Sequence, residues 1–217
     1  HFVQFSLFLI ENFVDLNFIE ESPKFIINTG NSVITVINCL FYFNAGEDEE
    51  PGALSASGNF HINISSSRFI GNKAKASGGA ILLDAQEFDI KDCIFQDNRC
   101  FNPSDKDSNG GAIFFNRKSD KHIIDSCTFE NNSAKSYGGS IFVRFEPTSK
   151  SKLLDIESPI KILNCQFIKS TSLVGGGALS SGSFNPSGAV NDGDMEIESC
   201  TFIECSSGAG GAIYFHD

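Results

Sequence analysis

Apolar side chains along this chain recur at every second position in short bursts, and the bursts change parity at a fixed point. Phe60-Ile62-Ile64, Phe88-Ile90, Ile160-Ile162 and Met195-Ile197 alternate on one parity. Three residues beyond the last member of each burst, the alternation resumes on the other parity, as in Cys93-Phe95, Cys127-Phe129 and Cys165-Phe167. A period of two with one apolar face describes a half-buried strand. The parity change therefore predicts a bend between two strands that both face inward. The residue before the Cys slot is polar each time (Asn38, Ser66, Asp92, Ser126, Asn164, Ser199), as a corner requires. A third burst follows a pair of glycines: Ile81-Leu83, Ile113-Phe115, Ile141-Val143 and Ile213-Phe215.

These bursts are one unit repeated. Its anchor is a phenylalanine at 41, 69, 95, 129, 167 and 202, with separations of 28, 26, 34, 38 and 35 residues. A period of this size means a solenoid, in which no unit buries its apolar face alone and stacked units share one core. Gly and Asn interrupt too often for helices, and the β-branched and aromatic load is high. The prediction is an all-β, right-handed parallel β-helix of about six to seven coils, each of three short strands, the hand following from the crossover rule. Residues 1–217 read as one β-helix segment, with six repeats over 36–217 and a degenerate coil over 1–35. Two registers are open for that coil. Leu7-Phe8-Leu9 with Asn12 could be a worn Cys-x-Phe-x-x-Asn, with Pro23-Lys24-Phe25-Ile26 in the glycine slot, or Phe18 could be the anchor. The pattern reaches both ends without a capping coil, so an excerpt of a longer solenoid is expected. Length varies at Ala45–Glu50, Arg99–Asn109, Arg144–Ser158 and Ser180–Asp194, which read as surface loops and candidate binding elements.

Composition narrows the partners. The chain holds 22 Phe, as a narrow stacked core demands, and carries a net charge of −11. An acidic chain lacks the basic stripe that nucleic acid requires, and no stretch is long and apolar enough to span a membrane.

The candidate chemistry is modest. The double glycines precede strands rather than helices, so they predict tight corners with positive φ and close approach of coils, not phosphate cradles. Asn44, Asn72, Asn98 and Asn132 share one corner slot, taken by Ser170 and Cys205 in the last two copies, and predict a hydrogen-bonded ladder. Cys39, Cys93, Cys127, Cys165 and Cys200 share another, with Ser67 in the remaining copy. Coil spacing of about 4.8 Å holds stacked cysteines slightly too far apart for a relaxed disulfide. A buried, mostly reduced column is expected, with Cys100 the most exposed thiol and the state of Cys100 and Cys205 open. Asp105, Asp107 and Asn109 match the opening of a calcium loop but lack its closing Glu. Asn63 and Asn131 begin glycosylation sequons. His61 and His122 are expected on outward strand or corner positions. No catalytic cluster emerges and no cofactor is implied. Asp89, Asp125, Glu196 and Glu198 are outward acids that a polysaccharide lyase or hydrolase could use in pairs, but no neighbouring Lys or Arg is evident to neutralise a uronate.

The paired motifs Phe-x-x-Asn and Gly-Gly-Ala-Ile resemble the repeats of the chlamydial polymorphic outer membrane proteins, and of similar large surface proteins in some protists. The resemblance covers roughly residues 36–217. Pro51, Ser170 and Cys205 depart from the motifs. The resemblance implies a β-helical, cell-surface or extracellular segment with adhesion as the usual role. The expected function is thus a non-catalytic scaffold, adhesive or structural, holding a protein or glycan partner on coil faces and corner loops. The alternative is the β-helical polysaccharide lyase or hydrolase.

Overall fold

The computed structural model describes residues 3–5, 11–14, 17–19, 25–27, 33–46, 51–102, 108–117, 121–145, 159–182 and 195–216. Every strand pairing among them is parallel, and they contain no helix. The strands form a 13-stranded, a 7-stranded and a 4-stranded sheet, each running along the stack of coils. This is the parallel β-helix the alternation predicts.

Inward columns follow the predicted parity. Val36, Ile64, Ile90, Ile124, Ile162 and Ile197 lie in register, coil upon coil. Leu54, Ile81, Ile113, Ile141, Leu179 and Ile213 form a second column after the glycine corner. Between them stand the anchors. Phe41, Phe69, Phe95, Phe129, Phe167 and Phe202 stack with ring centroids 4.5, 4.9, 4.8, 4.8 and 4.9 Å apart and planes within 7° of parallel. Burying one such ring is worth about 1.5–3 kcal/mol, and each offset ring pair adds about 0.5–1.5 kcal/mol.

Besides the glycine corner, two corners per coil use the left-handed region. The polar residue before the Cys slot has positive φ in all six copies: Asn38, Ser66, Asp92, Ser126, Asn164 and Ser199 lie at 49–54°. A second left-handed residue, not foreseen from the pattern, sits two places after each anchor: Phe43, Gly71, Asp97, Asn131, Lys169 and Glu204. Each of these residues other than glycine costs about 1–2 kcal/mol, which the stacking on either side offsets.

The paired glycines divide the labour predicted for them. At the first, φ is positive, as in Gly110 at 67°. At the second, in Gly79, Gly111, Gly139 and Gly177, the neighbouring coil is too close for any side chain: a Cβ on Gly111 would lie 2.1 Å from the Gly139 carbonyl oxygen. Ala80, Ala112, Ser140 and Ala178 follow, fully enclosed.

Three details depart from the expectation. The third strand of one coil runs straight into the first strand of the next at Leu54–Ser65 and Ile81–Lys91, so these coils have no break there. An extra two-residue strand follows the Asn corner at Lys73–Ala74, Arg99–Cys100, Ser133–Ala134 and Thr171–Ser172. Arg99 and Cys100 therefore belong to the coil and not to a loop. Finally, the early register is that of Phe18, which pairs with Phe41, while Glu11–Val14 pairs with Ile34–Ile37 and Phe25 with Leu54.

Candidate functional site

The Asn corner is a continuous hydrogen-bonded ladder. The Asn98 side-chain oxygen accepts from the Asn72 backbone N–H at 3.0 Å and from the Asn72 Nδ2 at 2.9 Å. Asn98 Nδ2 in turn donates to the Phe69 carbonyl at 2.9 Å and to Asn132 Oδ1 at 3.0 Å. Asn44 and Asn132 extend the same pattern. Where Asn gives way to Ser170, its hydroxyl meets that of Ser140 at 2.7 Å. Where Cys205 stands, its thiol donates to the Phe167 carbonyl. All four asparagines are buried, so this slot is spent on satisfying backbone within the stack.

The Cys slot serves the other corner. Each thiol points back at the carbonyl two residues earlier: Cys93 to Lys91 at 3.1 Å, Cys127 to Asp125 at 3.2 Å, Cys165 to Leu163 at 3.1 Å. Ser67 does the same to Ser65 at 2.8 Å, which explains why a hydroxyl substitutes for a thiol here. All seven cysteines are free, with Cys200 and Cys205 half-buried and the other five buried. Hydrogen bonds to Cys165 and Cys93, then burial, push the Cys127 thiol well up. Cys100 corrects the expectation of an exposed thiol. It is buried on the inward side of its two-residue strand, between Ala74 and Ala134, and burial pushes its pKa far above the ordinary value.

His122 is a second correction. It lies on the inward parity, in register with Phe88, and stacks on that ring at 4.6 Å with an edge toward Phe115. Its residue spacing from Ile124 gives the reason: two places earlier is the same face. His61 is outward, as expected, with Nδ1 3.1 Å from Glu87 and Nε2 2.7 Å from Asn63 Oδ1.

Of the calcium candidates, Asp105 and Asp107 lie outside the described residues. Asn109 is buried, and its side-chain oxygen accepts from the Tyr137 N–H at 3.1 Å. Among the described residues no cluster of His, Cys, Asp and Glu could hold a metal. Of the sequons, Asn131 is exposed at a left-handed corner beside Asp97, whereas Asn63 is half-buried within a strand against His61.

The outward acids have cationic neighbours after all. Lys91 lies 3.8 Å from Asp89, and Lys161 lies 2.9 Å from Glu196 in the adjacent coil. Lys91 stands two residues from Asp89 on the same strand and was overlooked along the chain, whereas parallel register brings Lys161 to Glu196 from a different coil. Asp125 accepts from Asn164 Nδ2 at 2.9 Å. Glu198 is exposed on the last of these strands, opposite Leu163.

A groove of about 220 Å³ lies over the two-residue strands, taking in the start of the Arg99–Asn109 stretch. Arg99, Phe101, Lys135, Thr171 and Leu173 line it. The signal was present in the sequence as a polar–small–large triplet after each corner: Lys73-Ala74-Lys75, Arg99-Cys100-Phe101, Ser133-Ala134-Lys135 and Thr171-Ser172-Leu173. The small middle residue faces in, and the flanking two face out.

Stacked coils, paired left-handed corners and an internal Asn ladder define a solenoid of repeats whose repeating residues build the rod itself. Three of its segments, residues 66–84, 92–116 and 126–144, match the family model of the Chlamydia polymorphic membrane protein repeat. These three segments are similar to that repeat, and each match begins at the first left-handed corner and ends in the strand after the glycines. No curated protein and no solved structure shows a significant match to the chain. No helix among the described residues is long and apolar enough to cross a membrane.

Proposed function

We propose that this chain is a non-catalytic cell-surface scaffold, an adhesive or structural rod that holds a protein or glycan partner through its coil faces and corner loops. One observation carries the reading. The residues that recur from coil to coil are consumed in stacking, whereas those that differ between coils face outward. A surface built this way is free to vary without disturbing the core, as a display scaffold needs. The repeat family, a family of surface proteins, supports the extracellular placement. The net charge of −11 supports a partner other than nucleic acid. Asp89 and Glu196, the acids a glycan-cleaving enzyme would recruit, are engaged by lysines, which favours the scaffold over catalysis.

The test is saturable binding of the fluorescently labelled chain to cultured cells, competed by unlabelled chain, alongside sedimentation for self-assembly. Saturable binding or ordered assembly is expected. Absence of both would remove the reading. Release of reducing ends from a panel of plant and microbial polysaccharides would replace it with an enzyme.

A further inference from the structure

The two-residue strands present two outward columns. One is Lys73, Arg99, Ser133 and Thr171, set by the strand register. The other, two residues on in each coil, is Lys75, Phe101, Lys135 and Leu173. Four of these eight positions are cationic and none is acidic, in a chain with 27 acidic against 16 basic residues. Phe101 is 55% and Leu173 69% exposed, and both line the groove. Lys135 donates to the Asn102 carbonyl at 2.7 Å and is thereby held 5.7 Å from the centre of the Phe101 ring, keeping its charge on the ledge. Arg99 makes no ion pair among the described residues and lines the same groove.

We propose that this ledge binds an anionic polysaccharide, with carboxylate or sulfate groups on Arg99 and Lys135, and sugar faces on Phe101 and Leu173. The proposal rests on the scaffold reading and names the partner's chemistry. Cations select an anion, and a guanidinium matches carboxylate or sulfate with paired donors. An apolar ring beside the hydroxyls of Ser133 and Thr171 suits a pyranose, which has a flat C–H face and a polar rim. An acidic peptide fits less well. Extended peptides gain affinity from main-chain hydrogen bonds to a sheet edge. Here the backbone is already used between coils: the N–H of Arg99 donates to Asn72, that of Ser133 to Asn98 and that of Thr171 to Asn132. Columns running along the stack, with coils about 4.8 Å apart, suit a linear polymer better than a small anion.

The experiment titrates the 217-residue chain into fluorescein-labelled heparin, polygalacturonate and neutral dextran, following anisotropy at low and high salt. Binding to one or both anionic polymers, weakened by salt and absent for dextran, is expected. Arg99→Ala with Lys135→Ala should weaken it about tenfold or more, and Phe101→Ala roughly threefold to tenfold. Arg68→Ala, an exposed cation on the Cys-x-Phe face, should leave it unchanged. All these side chains lie on outward columns, and a circular dichroism spectrum matching the parent's checks the fold. The proposal is overturned if neither anionic polymer binds, if the double variant binds like the parent, or if the ledge instead mediates a dimer that the double variant dissolves. Cell binding that survives the double variant would sink the ledge and leave the scaffold reading standing; absence of both cell binding and ordered assembly in the parent would sink the latter.

Discussion

Replacing Asn98 by alanine tests whether the corner ladder holds the rod together. The substitution removes four hydrogen bonds, two accepted by Oδ1 and two donated by Nδ2. The Asn72 backbone N–H loses its acceptor while remaining fully buried, a cost of about 1–3 kcal/mol. The Asn72 amide and the Asn132 oxygen each keep one partner and lose another, at about 0.5–1.5 kcal/mol apiece. The total is about 2–6 kcal/mol. For a chain of this size about 1 kcal/mol moves the melting temperature by roughly 2–4 °C, so a fall on the order of 5–20 °C is expected. Thermal melts followed by circular dichroism in the β region, paired with urea titration, measure it. Gln166→Ala, exposed on an outward position, is the control. Should Asn98→Ala melt within a degree of the parent while the control behaves normally, the ladder contributes nothing, and the account of this corner is wrong.

Other expectations follow from single contacts. Gly111→Ala places a methyl 2.1 Å from the Gly139 carbonyl oxygen and 2.4 Å from that of Ser133, so soluble folded protein should be lost; normal yield and spectrum would refute the close approach. A thiol reagent should modify at most Cys200 and Cys205 in the native chain and all seven cysteines after denaturation, whereas fewer than about three free thiols would indicate disulfides. Cys100 stays protonated when folded but ionises near pH 8.5 when unfolded. Its contribution is thus complete below that pH and is lost as pH rises above it. Cys100→Ala, which matches Ala74 and Ala134 above and below, should flatten the decline in melting temperature on the alkaline side; an unchanged slope would refute it. His122→Phe should raise the melting temperature by a few degrees by completing a ring stack with Phe88, and a marked fall would show that the imidazole is required.

Most of the core was legible because period two is a local property. Ile90 and Phe95 announce their faces through their immediate neighbours, and the recurrence of the unit announces the stacking. His122 shows what happens when residue type is allowed to outweigh parity: the alternation with Ile124 placed it inside, and its polarity suggested otherwise. Cys100 failed for a related reason, because a strand of two residues is too short to display alternation. Pairings between coils were not legible. Lys161 meets Glu196 only because loops of unequal length bring two strands into register, and nothing along the chain counts those loops. The ledge was hidden in the same way, since Lys135 joins Arg99 and Phe101 from the neighbouring coil.

The stretch from the Cys slot to the Asn corner spans the same six positions in the copies beginning at Cys39, Cys93 and Cys127, while whole repeats differ in length by up to twelve residues. Left-handed corners at both ends of that arc lock its cross-section. Differences in repeat length therefore fall outside that arc. A foreign epitope spliced there would be carried at a fixed height along the rod, with the arc acting as its ruler.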